Sequence, residues 1–410
     1  MVKILAYSSP AMGHLFPTSV LLTELRSRGH DVALRTLAAG VATGRDLGFA
    51  TEAVDPRIEA LPLDDWKATN PEDALRRAQG TFARRAEYEV DDLRKAIDEV
   101  SPDVVIVDAN CWGAAAVAEA SGLPWLSFWA FLPYLSSEAT PPYGPGLPPL
   151  PGEAGRVRDA QLRPQLSAVF NEAMVGPLNR IREQVGVPPV GTADDYVLRP
   201  PLMLVATAEP FEYVHPDWPD KIQLIGACDF DPAPKEVPDW LAAIDRRIVL
   251  VSTSSEFQGD TDVALMALTA LADEPVHVVV TFPAGVPAGI TVPANATVLE
   301  FVPHSLVLDR AAAAITHGGM GTTQKALVRG VPVCVAPQGR DQFEVARRVE
   351  VAGAGTQLLA EDLTPDRLRD KVRQTMTMIE GARRVAAGFA ASGGVAHGAD
   401  LIERRLLGQG

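Results

Sequence analysis

A glycine-rich stretch in the second half of the chain carries the clearest chemical signal. It lies between an apolar run at 311–315 and a run of helix formers at 324–328, an order that predicts a strand, a turn and a helix. Glycines let the backbone approach a ligand closely, and the N-terminus of a helix attracts an anion such as a phosphate. The alternative is a tight connection that contains a structural histidine. The residues concerned are His317, Gly318, Gly319, Gly321 and Thr322.

A histidine and an aspartate in the first half form a second candidate group. His14 follows the first predicted strand, at 2–7, and Asp108 ends a later one, at 102–108. Functional groups of doubly wound sheets collect at the carboxyl ends of strands, so we expect Asp108 to reach one nitrogen of His14. The other nitrogen would then take a proton from a substrate hydroxyl. Either residue alone is more simply structural, and their matched positions are what favour a general base.

Two further polar groups follow predicted strands in the second half. Ser252, Thr253 and Ser254 offer hydroxyl and amide donors to a phosphate. Asp341 and Gln342 follow another strand, and a carboxylate beside a carboxamide suits a polyol, because the first accepts hydrogen bonds and the second both accepts and donates them. Asp341 can also cap the helix predicted to begin at Gln342, and both roles are compatible.

Alternating strands and helices must position these groups. The alternation occurs on both sides of 229–238, a segment rich in proline and acid that we interpret as a linker. It predicts an α/β protein with two doubly wound, Rossmann-like domains, at 1–228 and 239–385. Ligands of such sheets bind beyond the carboxyl ends of the strands, so the two sheets are expected to face a shared cleft.

Three local features of the first half are also predicted. A helix is expected to begin near Pro17, because proline is favoured at the first position of a helix. A second helix is expected over 165–184. Many prolines and glycines between them predict a long loop at 134–151.

Composition excludes several classes of protein. A chain of 410 residues favours two domains over one core. The net charge of −15, from 37 basic and 52 acidic residues, argues against a nucleic-acid partner. No G-x-G-x-x-G follows the first strand, which removes support from an NAD-dependent dehydrogenase. Three distant cysteines, Cys111, Cys228 and Cys334, do not form a disulfide framework and fit a reducing compartment.

The apolar segments of the chain bear on its location. The sequence opens with a strand-like segment and shows no basic leader followed by an apolar core, so no signal peptide is expected. No apolar run reaches the roughly 18 residues of a membrane span. We therefore expect a cytoplasmic protein without stable membrane insertion, as a monomer or weak homodimer.

Several motifs taken together resemble those of GT-B glycosyltransferases. They are H-G-G-x-G-T at 317–322, D-Q at 341–342, V-P-H at 302–304 and a G-H at 13–14. Over nearly its whole length the chain most resembles bacterial enzymes that glycosylate macrolides, aromatic polyketides, enediynes and similar natural products. Many relatives have Asn-Ala three residues after D-Q, where this chain has Val345-Ala346. Any polar contact that the asparagine makes in those relatives is lost in this chain.

The resemblance implies that the two domains bind different substrates. The first domain would bind a hydrophobic small-molecule acceptor, and the second a nucleotide sugar carried on dTDP or UDP. Helices at about 386–410 would pack back on the first domain. His14 would be the base and Asp108 its partner in an inverting displacement that needs no metal or other cofactor. The donor would contact Ser252, Thr253 and Ser254, Val302 and His304 at the nucleobase, His317, Gly318, Gly319, Gly321 and Thr322 at the diphosphate, and Asp341 and Gln342 at the sugar.

Aromatic and apolar residues of the first half are candidates for the acceptor wall, although scattered aromatics more often belong to a core. They are Met12, Phe16, Trp66, Trp112, Phe128, Phe131 and Tyr134. Two rival functions remain open: a nucleotide-sugar epimerase of the same fold, and a non-catalytic helper that binds a nucleotide sugar. A D-x-D motif at 229–231 also leaves open a metal site of the kind that glycosyltransferases of another fold use.

Overall fold

The computed structural model describes residues 1–231, 236–254 and 261–408. Residues 232–235 of the predicted linker lie outside the described residues. The architecture consists of two parallel β-sheets, one in each half of the chain, with helices on both faces of each sheet. This confirms the predicted α/β class and its two doubly wound sheets.

The first sheet contains seven strands: β1 Lys3–Tyr7, β2 Asp31–Thr36, β3 Ala50–Ala53, β4 Val104–Asp108, β5 Trp125–Trp129, β6 Met203–Val205 and β7 Ile222–Leu224. Their order is β3-β2-β1-β4-β5-β6-β7, and all neighbouring pairs are parallel. The order reverses between β1 and β4. The helices of this half are α1 Met12–Ser27, α2 Val41–Asp46, α3 Pro56–Glu59, α4 Pro71–Val100, α5 Trp112–Ser121, α6 Gly152–Val185 and α7 Ala193–Val197.

The second sheet contains six strands: β8 Arg247–Ser252, β9 Val276–Thr281, β10 Ala296–Leu299, β11 Ala311–Thr316, β12 Val333–Val335 and β13 Gly355–Gln357. Their order is β10-β9-β8-β11-β12-β13, again with parallel neighbours, and it reverses between β8 and β11. The remaining helices are α8 Asp239–Ala242, α9 Thr261–Ala270, α10 His304–Leu308, α11 Met320–Val328, α12 Gln342–Val351, α13 Pro365–Thr375, α14 Ile379–Ala391 and α15 Gly394–Arg405.

Both faces of each sheet are buried. On β1, Ile4 and Ala6 belong to one hydrophobic cluster, while Leu5 and Tyr7 belong to the cluster on the other face. This follows from the period of two along a strand, which sends successive side chains to opposite faces. None of the helices in the described part of the chain has the length and apolarity that a membrane span requires.

The halves are connected by hydrogen bonds between residues far apart in the sequence. The amide groups of Gly144 and Gly146, in the long loop before α6, donate to Glu344 Oε1 of α12 at 2.8 and 2.9 Å. Gln324 of α11 donates to the carbonyl oxygen of Ala206 at 2.7 Å. These contacts hold the carboxyl ends of the two sheets towards each other.

The C-terminal helix α15 returns to the first half and packs against α1. Arg28, just after α1, donates to Asp400 at 2.6 Å and to Glu403 at 2.7 Å. His30 lies 2.9 Å from the other oxygen of Glu403. These contacts tie the last helix to the first half of the chain.

Two predicted helix starts are wrong. Helix α1 begins at Met12, and Pro17 lies inside it. The amide groups of His14 and Leu15 both donate to the Ala11 carbonyl, which starts the helix one turn before the proline. Helix α6 begins at Gly152 rather than 165 and also contains internal prolines. As a result, His14 lies in the first turn of a helix instead of in a loop.

Candidate active site

His14 and Asp108 meet where the strand order of the first sheet reverses. Asp108 is the last residue of β4, and His14 belongs to the helix that follows β1. These strands are neighbours, and His14 Nδ1 lies 2.7 Å from Asp108 Oδ2. The other carboxylate oxygen accepts the N–H of Asn110 at 2.9 Å. The structure therefore brings the two predicted catalytic residues together.

The environment of this pair gives the imidazole a defined orientation. The Asp108 side chain is 1% exposed, whereas that of His14 is 19% exposed at the cleft. Because Nδ1 faces the carboxylate, Nε2 is the nitrogen on the far side of the ring from Asp108. The ring of Phe131 lies 5.7 Å from the imidazole and supplies an apolar wall. A histidine oriented by a buried acid has the chemistry of a general base.

The glycine-rich turn occupies the equivalent position in the second sheet. It joins β11 to α11, and Gly321 and Thr322 lie in the first turn of that helix. The first bond of the helical ladder runs from the N–H of Thr323 to the Gly319 carbonyl. The amide groups before Thr323 therefore have no partner within the helix and can bind an anion.

Close packing fixes the shape of this turn. Gly318 has a φ of 96°, in the left-handed region that favours glycine. A Cβ on Gly319 would lie 2.5 Å from His317 Nε2, so the imidazole lies directly over that glycine. Thr316 Oγ1 accepts the Gly318 N–H at 3.1 Å, which secures the start of the turn. His317 and the helix N-terminus thus form one side of the cleft.

The hydroxyl residues after β8 lie beside this turn. Ser252 pairs in register with Thr316 of the neighbouring strand. The hydroxyl group of Thr253 donates to the Thr281 carbonyl at 3.1 Å, and Ser252, Thr253 and Ser254 are all buried. The predicted second wall of the anion site is therefore adjacent to the first.

His304 and Val302 lie near the end of β9, behind this wall. His304 Nε2 is 3.0 Å from the Thr281 hydroxyl oxygen. Burial, assisted by the charge of Lys325, lowers the pKa of His304 to about 4, so the imidazole is neutral near pH 7. Val302 is 4% exposed and packs in the core. The side chains therefore support the turn at 302–306 from within.

Asp341 lies between the two groups. Burial raises the pKa of its carboxyl, against the opposing effects of its own N–H and of Arg340, His14 and His317. His14 belongs to the first half and His317 to the second, so Asp341 is within electrostatic reach of both. Its carboxylate does not cap α12, which excludes the predicted capping role. Asp341 instead presents a partly shielded carboxylate to the cleft.

Gln342 and Arg340 hold the segment that carries Asp341. Gln342 Oε1 accepts the N–H groups of Gln338 and Gly339 at 2.8 and 3.2 Å. Arg340 has a φ of 54° and donates two hydrogen bonds to Asp65, at 2.7 and 2.8 Å. Asp65 belongs to the first half, so this bidentate ion pair spans the cleft directly beside Asp341. No local sequence pattern indicates it.

The predicted acceptor residues divide into two groups. Phe131 contacts His14, Tyr134 lines a cavity, and Trp66 is 46% exposed next to Asp65. Met12 and Phe16 are partly buried at the start of α1, where the Phe16 ring lies 5.2 Å from that of Phe230. These five residues lie on the first-half side of the cleft or near its edge.

Trp112 and Phe128 are corrections to the predicted acceptor wall, because both are core residues. Trp112 is 1% exposed and packs edge-on against Phe82 and Tyr196. It opens α5, which lies so close to α4 that a Cβ on Gly113 would be 2.1 Å from the Ala86 carbonyl oxygen. Phe128 is 0% exposed within β5, where both faces of the sheet are covered.

The D-x-D motif has a structural role. Asp231 Oδ2 accepts the Ser305 N–H at 2.8 Å and lies 3.3 Å from the ammonium group of Lys325. Asp229 pairs with Arg329 and Lys325. In the described residues, no group of three or more His, Cys, Asp or Glu side chains is arranged to hold a metal ion. The two carboxylates neutralise Lys325 of α11 and Arg329, the residue just after that helix.

Comparison with known proteins places this geometry in a family. Residues 265–396 match the family described as "Erythromycin biosynthesis protein CIII-like, C-terminal domain". The chain is 30% identical to 4'-demethylrebeccamycin synthase of Lentzea aerocolonigenes, over 98% of this chain and 99% of that protein. A solved glycosyltransferase of kitacinnamycin is 28% identical with a TM-score of 0.75 and 99% coverage of both chains. The glycosyltransferase VinC in complex with dTDP, at 23% identity and a TM-score of 0.70 over 100% of both chains, shows the fold alone.

Two facing doubly wound sheets, each with polar groups at its reversal point, define a GT-B glycosyltransferase. The chain belongs to the natural-product glycosyltransferases. The family and fold predicted from the motifs are confirmed, as is glycosyl transfer as the class of reaction. The rival functions, an epimerase or a silent binder, are not favoured by these relatives.

Proposed function

We propose that this enzyme transfers a sugar from a dTDP- or UDP-sugar to a hydroxyl group of a hydrophobic natural-product acceptor, with inversion. The observation that carries the proposal is the oriented His14–Asp108 pair, 2.7 Å apart, on the side of the cleft opposite the glycine turn. A base and an anion site that face each other across Asp341 match the two ends of a displacement reaction.

The proposed reaction is a direct displacement at the anomeric carbon of the donor sugar. The acceptor oxygen attacks the anomeric carbon and forms the glycosidic bond, while its proton passes to His14 Nε2. The bond from the anomeric carbon to the diphosphate breaks, and its electron pair leaves with the diphosphate. His317 and the amide groups at the start of α11 stabilise that charge. Attack from the face opposite the leaving group inverts the anomeric configuration.

Three parts of the donor would contact three parts of the second half. The diphosphate would lie at Gly318, Gly319, Gly321 and Thr322, with the hydroxyl groups of 252–254 beside it. The nucleobase would pack at the turn that Val302 and His304 support. The sugar would extend towards Asp341, whose carboxylate suits the hydroxyl groups of a sugar. Val345 and Ala346 are fully buried, so that pair would give the sugar no polar contact.

The scheme uses neither a metal nor another cofactor. Charge on the leaving diphosphate is met by a helix N-terminus and an imidazole, and the carboxylates of the D-x-D motif are engaged with Lys325 and Arg329. Activity is therefore expected to be equal with and without EDTA. An EDTA-sensitive activity that Mg²⁺ or Mn²⁺ restores would contradict this part of the proposal.

The proposal is tested by incubating the protein with dTDP- and UDP-sugars and a panel of polyketide aglycones, followed by mass spectrometry. The expected product is a glycoside whose anomeric configuration, read by NMR coupling constants, is opposite to that of the donor. An epimerised nucleotide sugar, or donor binding without turnover over the whole panel, would overturn it. Asp341→Ala is expected to raise KM for the donor sugar about tenfold or more, as for loss of a charged hydrogen bond.

A further inference from the structure

A cavity of about 340 Å³ lies in the first half, between the long loop and α6. Its walls include the rings of Tyr134, Tyr143 and Phe170, and its polar lining includes Arg163 and Asp194. The volume falls within the range of about 300–1,000 Å³ that small-molecule sites occupy. We call it the aromatic cavity.

The three rings are arranged for a flat ligand. Tyr134 and Phe170 are stacked, with centroids 5.4 Å apart and planes 19° from parallel. Tyr143 stands edge-on to both, at 6.4 and 6.1 Å. Aromatic surfaces of this kind favour stacked or edge-to-face contact with another aromatic ring over contact with a flexible polar chain.

The aromatic cavity leads towards the catalytic histidine. Tyr134 contacts Trp129 at 5.2 Å, Trp129 contacts Phe131 at 5.0 Å, and Phe131 contacts His14 at 5.7 Å. Because Trp129 is 1% exposed, this path of ring contacts runs through the core and links the wall of the cavity to the site of proton transfer.

Arg163 is a polar residue of the cavity lining whose role the aromatic walls do not explain. Its Nη2 donates to the Thr140 carbonyl at 3.1 Å, but its Nη1 is fully enclosed and has no hydrogen-bond partner among the described residues. Asp194, which lines the same cavity, accepts a long hydrogen bond from the Ser136 N–H at 3.4 Å and is not paired with Arg163. A buried charged donor without an acceptor is costly, so Arg163 is positioned for an acceptor atom that a ligand brings.

We propose that the acceptor of this enzyme is a planar aromatic molecule bearing an anionic oxygen, and that Arg163 binds that oxygen in the aromatic cavity. The inference rests on the proposed function for the identification of the ligand as the acceptor. Arg163 then determines specificity, because an aromatic acceptor without the oxygen leaves the guanidinium unsatisfied.

Two probes that differ in one group test the inference. 3-Hydroxy-2-naphthoate carries the carboxylate, and 2-naphthol lacks it, while both have the same ring system and a hydroxyl group. Dissociation constants are measured by ligand-observed NMR titration with the full-length protein and no donor. Wild-type protein is expected to bind the naphthoate at least tenfold more tightly than the naphthol, as a hydrogen bond to a charged group predicts.

Two variants separate ligand binding by Arg163 from its structural contact with Thr140. Arg163→Gln is expected to reduce the ratio of the two constants to near one. Arg156→Gln removes an exposed arginine from the same helix and is expected to keep the ratio. A purely structural loss through the Thr140 contact would weaken both probes equally and leave the ratio unchanged. That result, or a wild-type ratio near one, would overturn the inference.

Failure of the proposed function gives a different pattern. If no nucleotide sugar is turned over with any acceptor, the naphthoate preference of Arg163 stands as a binding property while the catalytic proposal fails. If glycosides form and the Arg163→Gln ratio equals that of wild type, the catalytic proposal stands and the role of Arg163 is rejected. The two proposals are thus tested by separate measurements.

Discussion

The first six strands of the first sheet have the same order as the six strands of the second, and the two sheets differ in the chemistry at the point where that order reverses. In the first half, β1 and β4 present an imidazole held by a buried carboxylate, His14 and Asp108. In the second half, β8 and β11 present Ser252 and a glycine turn that opens a helix. One reversal point is built from ionisable side chains, and the other largely from backbone amide groups.

This difference shows what topology decides and what it leaves to the sequence. A doubly wound sheet opens a crevice at its reversal point, and this determines where ligands bind in both halves. The residues just past the strands then determine whether the crevice transfers a proton or binds an anion. In the proposed reaction, the two facing crevices would place a base on one side of the reacting carbon and a leaving-group site on the other.

Replacing His14 is the largest change that separates the two crevices. We expect His14→Ala to lower kcat by about 10²–10⁴-fold, as for loss of a general base. The dissociation constant for dTDP or UDP should stay within about twofold of wild type, because that site lies in the other half. Steady-state kinetics and calorimetry give the two numbers.

His30 supplies a matched control for that prediction. It also pairs with a carboxylate, Glu403, at 2.9 Å, but this pair lies outside the cleft. His30→Gln should lower the melting temperature and retain kcat. If His14→Ala retained most of its turnover, the first crevice would have no catalytic role and the comparison between the halves would fail.

The glycine turn is expected to respond differently at two positions. Gly318→Ala should lower the free energy of unfolding by about 1–3 kcal/mol, because its φ is 96° and a Cβ would lie 3.0 Å from Gln342 and Val335. Gly321→Ala should leave stability unchanged within about 0.5 kcal/mol, because no atom lies within 4 Å of its Cβ position. Even so, the Gly321 variant should bind dTDP or UDP at least fivefold more weakly.

Thermal melting and nucleotide titration of the two variants distinguish protein strain from ligand approach. A Gly321→Ala protein that binds nucleotide diphosphates normally would show that no ligand comes close to this amide group. The second crevice would then be a tight turn rather than an anion site, and only the first would carry chemistry.

The sequence was sufficient for the parts of the site that follow strands directly. The positions of Asp108, Ser252 and His317 were predictable because parallel strands bring their carboxyl ends to one edge, whatever lies between them in the chain. The fold class followed from the same alternation. Pro17 favours a helix that begins at its own position, whereas the carbonyl group of Ala11 starts helix α1 earlier in the chain.

Contacts between the halves were beyond sequence reasoning. Asp65 and Arg340 are separated by 275 residues, and neither has a neighbour pattern that marks it as paired. The same holds for Arg163 and Phe170, which meet Tyr134 only after the loop and α6 fold back on the sheet. Trp112 is a core residue because α5 packs closely against α4, and the residue type alone does not reveal that contact.

The Asp65–Arg340 ion pair links the two crevices, and its loss is expected to have an intermediate effect. Arg340→Gln should lower kcat/KM about tenfold. The substitution releases the segment that carries Asp341 and removes an ion pair that connects the two halves. Asp65→Asn should have a similar effect, and the double variant should be no worse than either single one, as expected for partners in one interaction. Arg373→Gln, which breaks an exposed pair with Glu274, is the control and should be silent. Additive losses in the double variant would show that the two residues act separately.

A further expected effect is a contrast in pH dependence between the halves. Behind the first crevice, Glu89 is buried and accepts the N–H of Gly113 at 2.9 Å; burial raises its pKa to about 8. Behind the second, burial lowers the pKa of His304 to about 4. The folded protein therefore retains a proton on Glu89 that the unfolded chain loses above its ordinary pKa of 4.5, and it lacks a proton on His304 that the unfolded chain gains below 6.5.

These opposite shifts predict opposite slopes in urea unfolding. The advantage of Glu89→Gln over wild type should grow as the pH rises from 4.5 to about 8, and that of His304→Gln should grow as the pH falls from 6.5 to about 4. Each slope is limited to about 1.4 kcal/mol per pH unit, the value for one proton. The slope for Glu89→Gln reports a carboxyl group buried behind the first crevice. The slope for His304→Gln reports an imidazole buried at the turn at 302–306. If the stability difference between variant and wild type changed with pH in the same direction for both variants, the two halves would not differ in the charge that they bury. The contrast between the crevices would then be limited to their exposed residues.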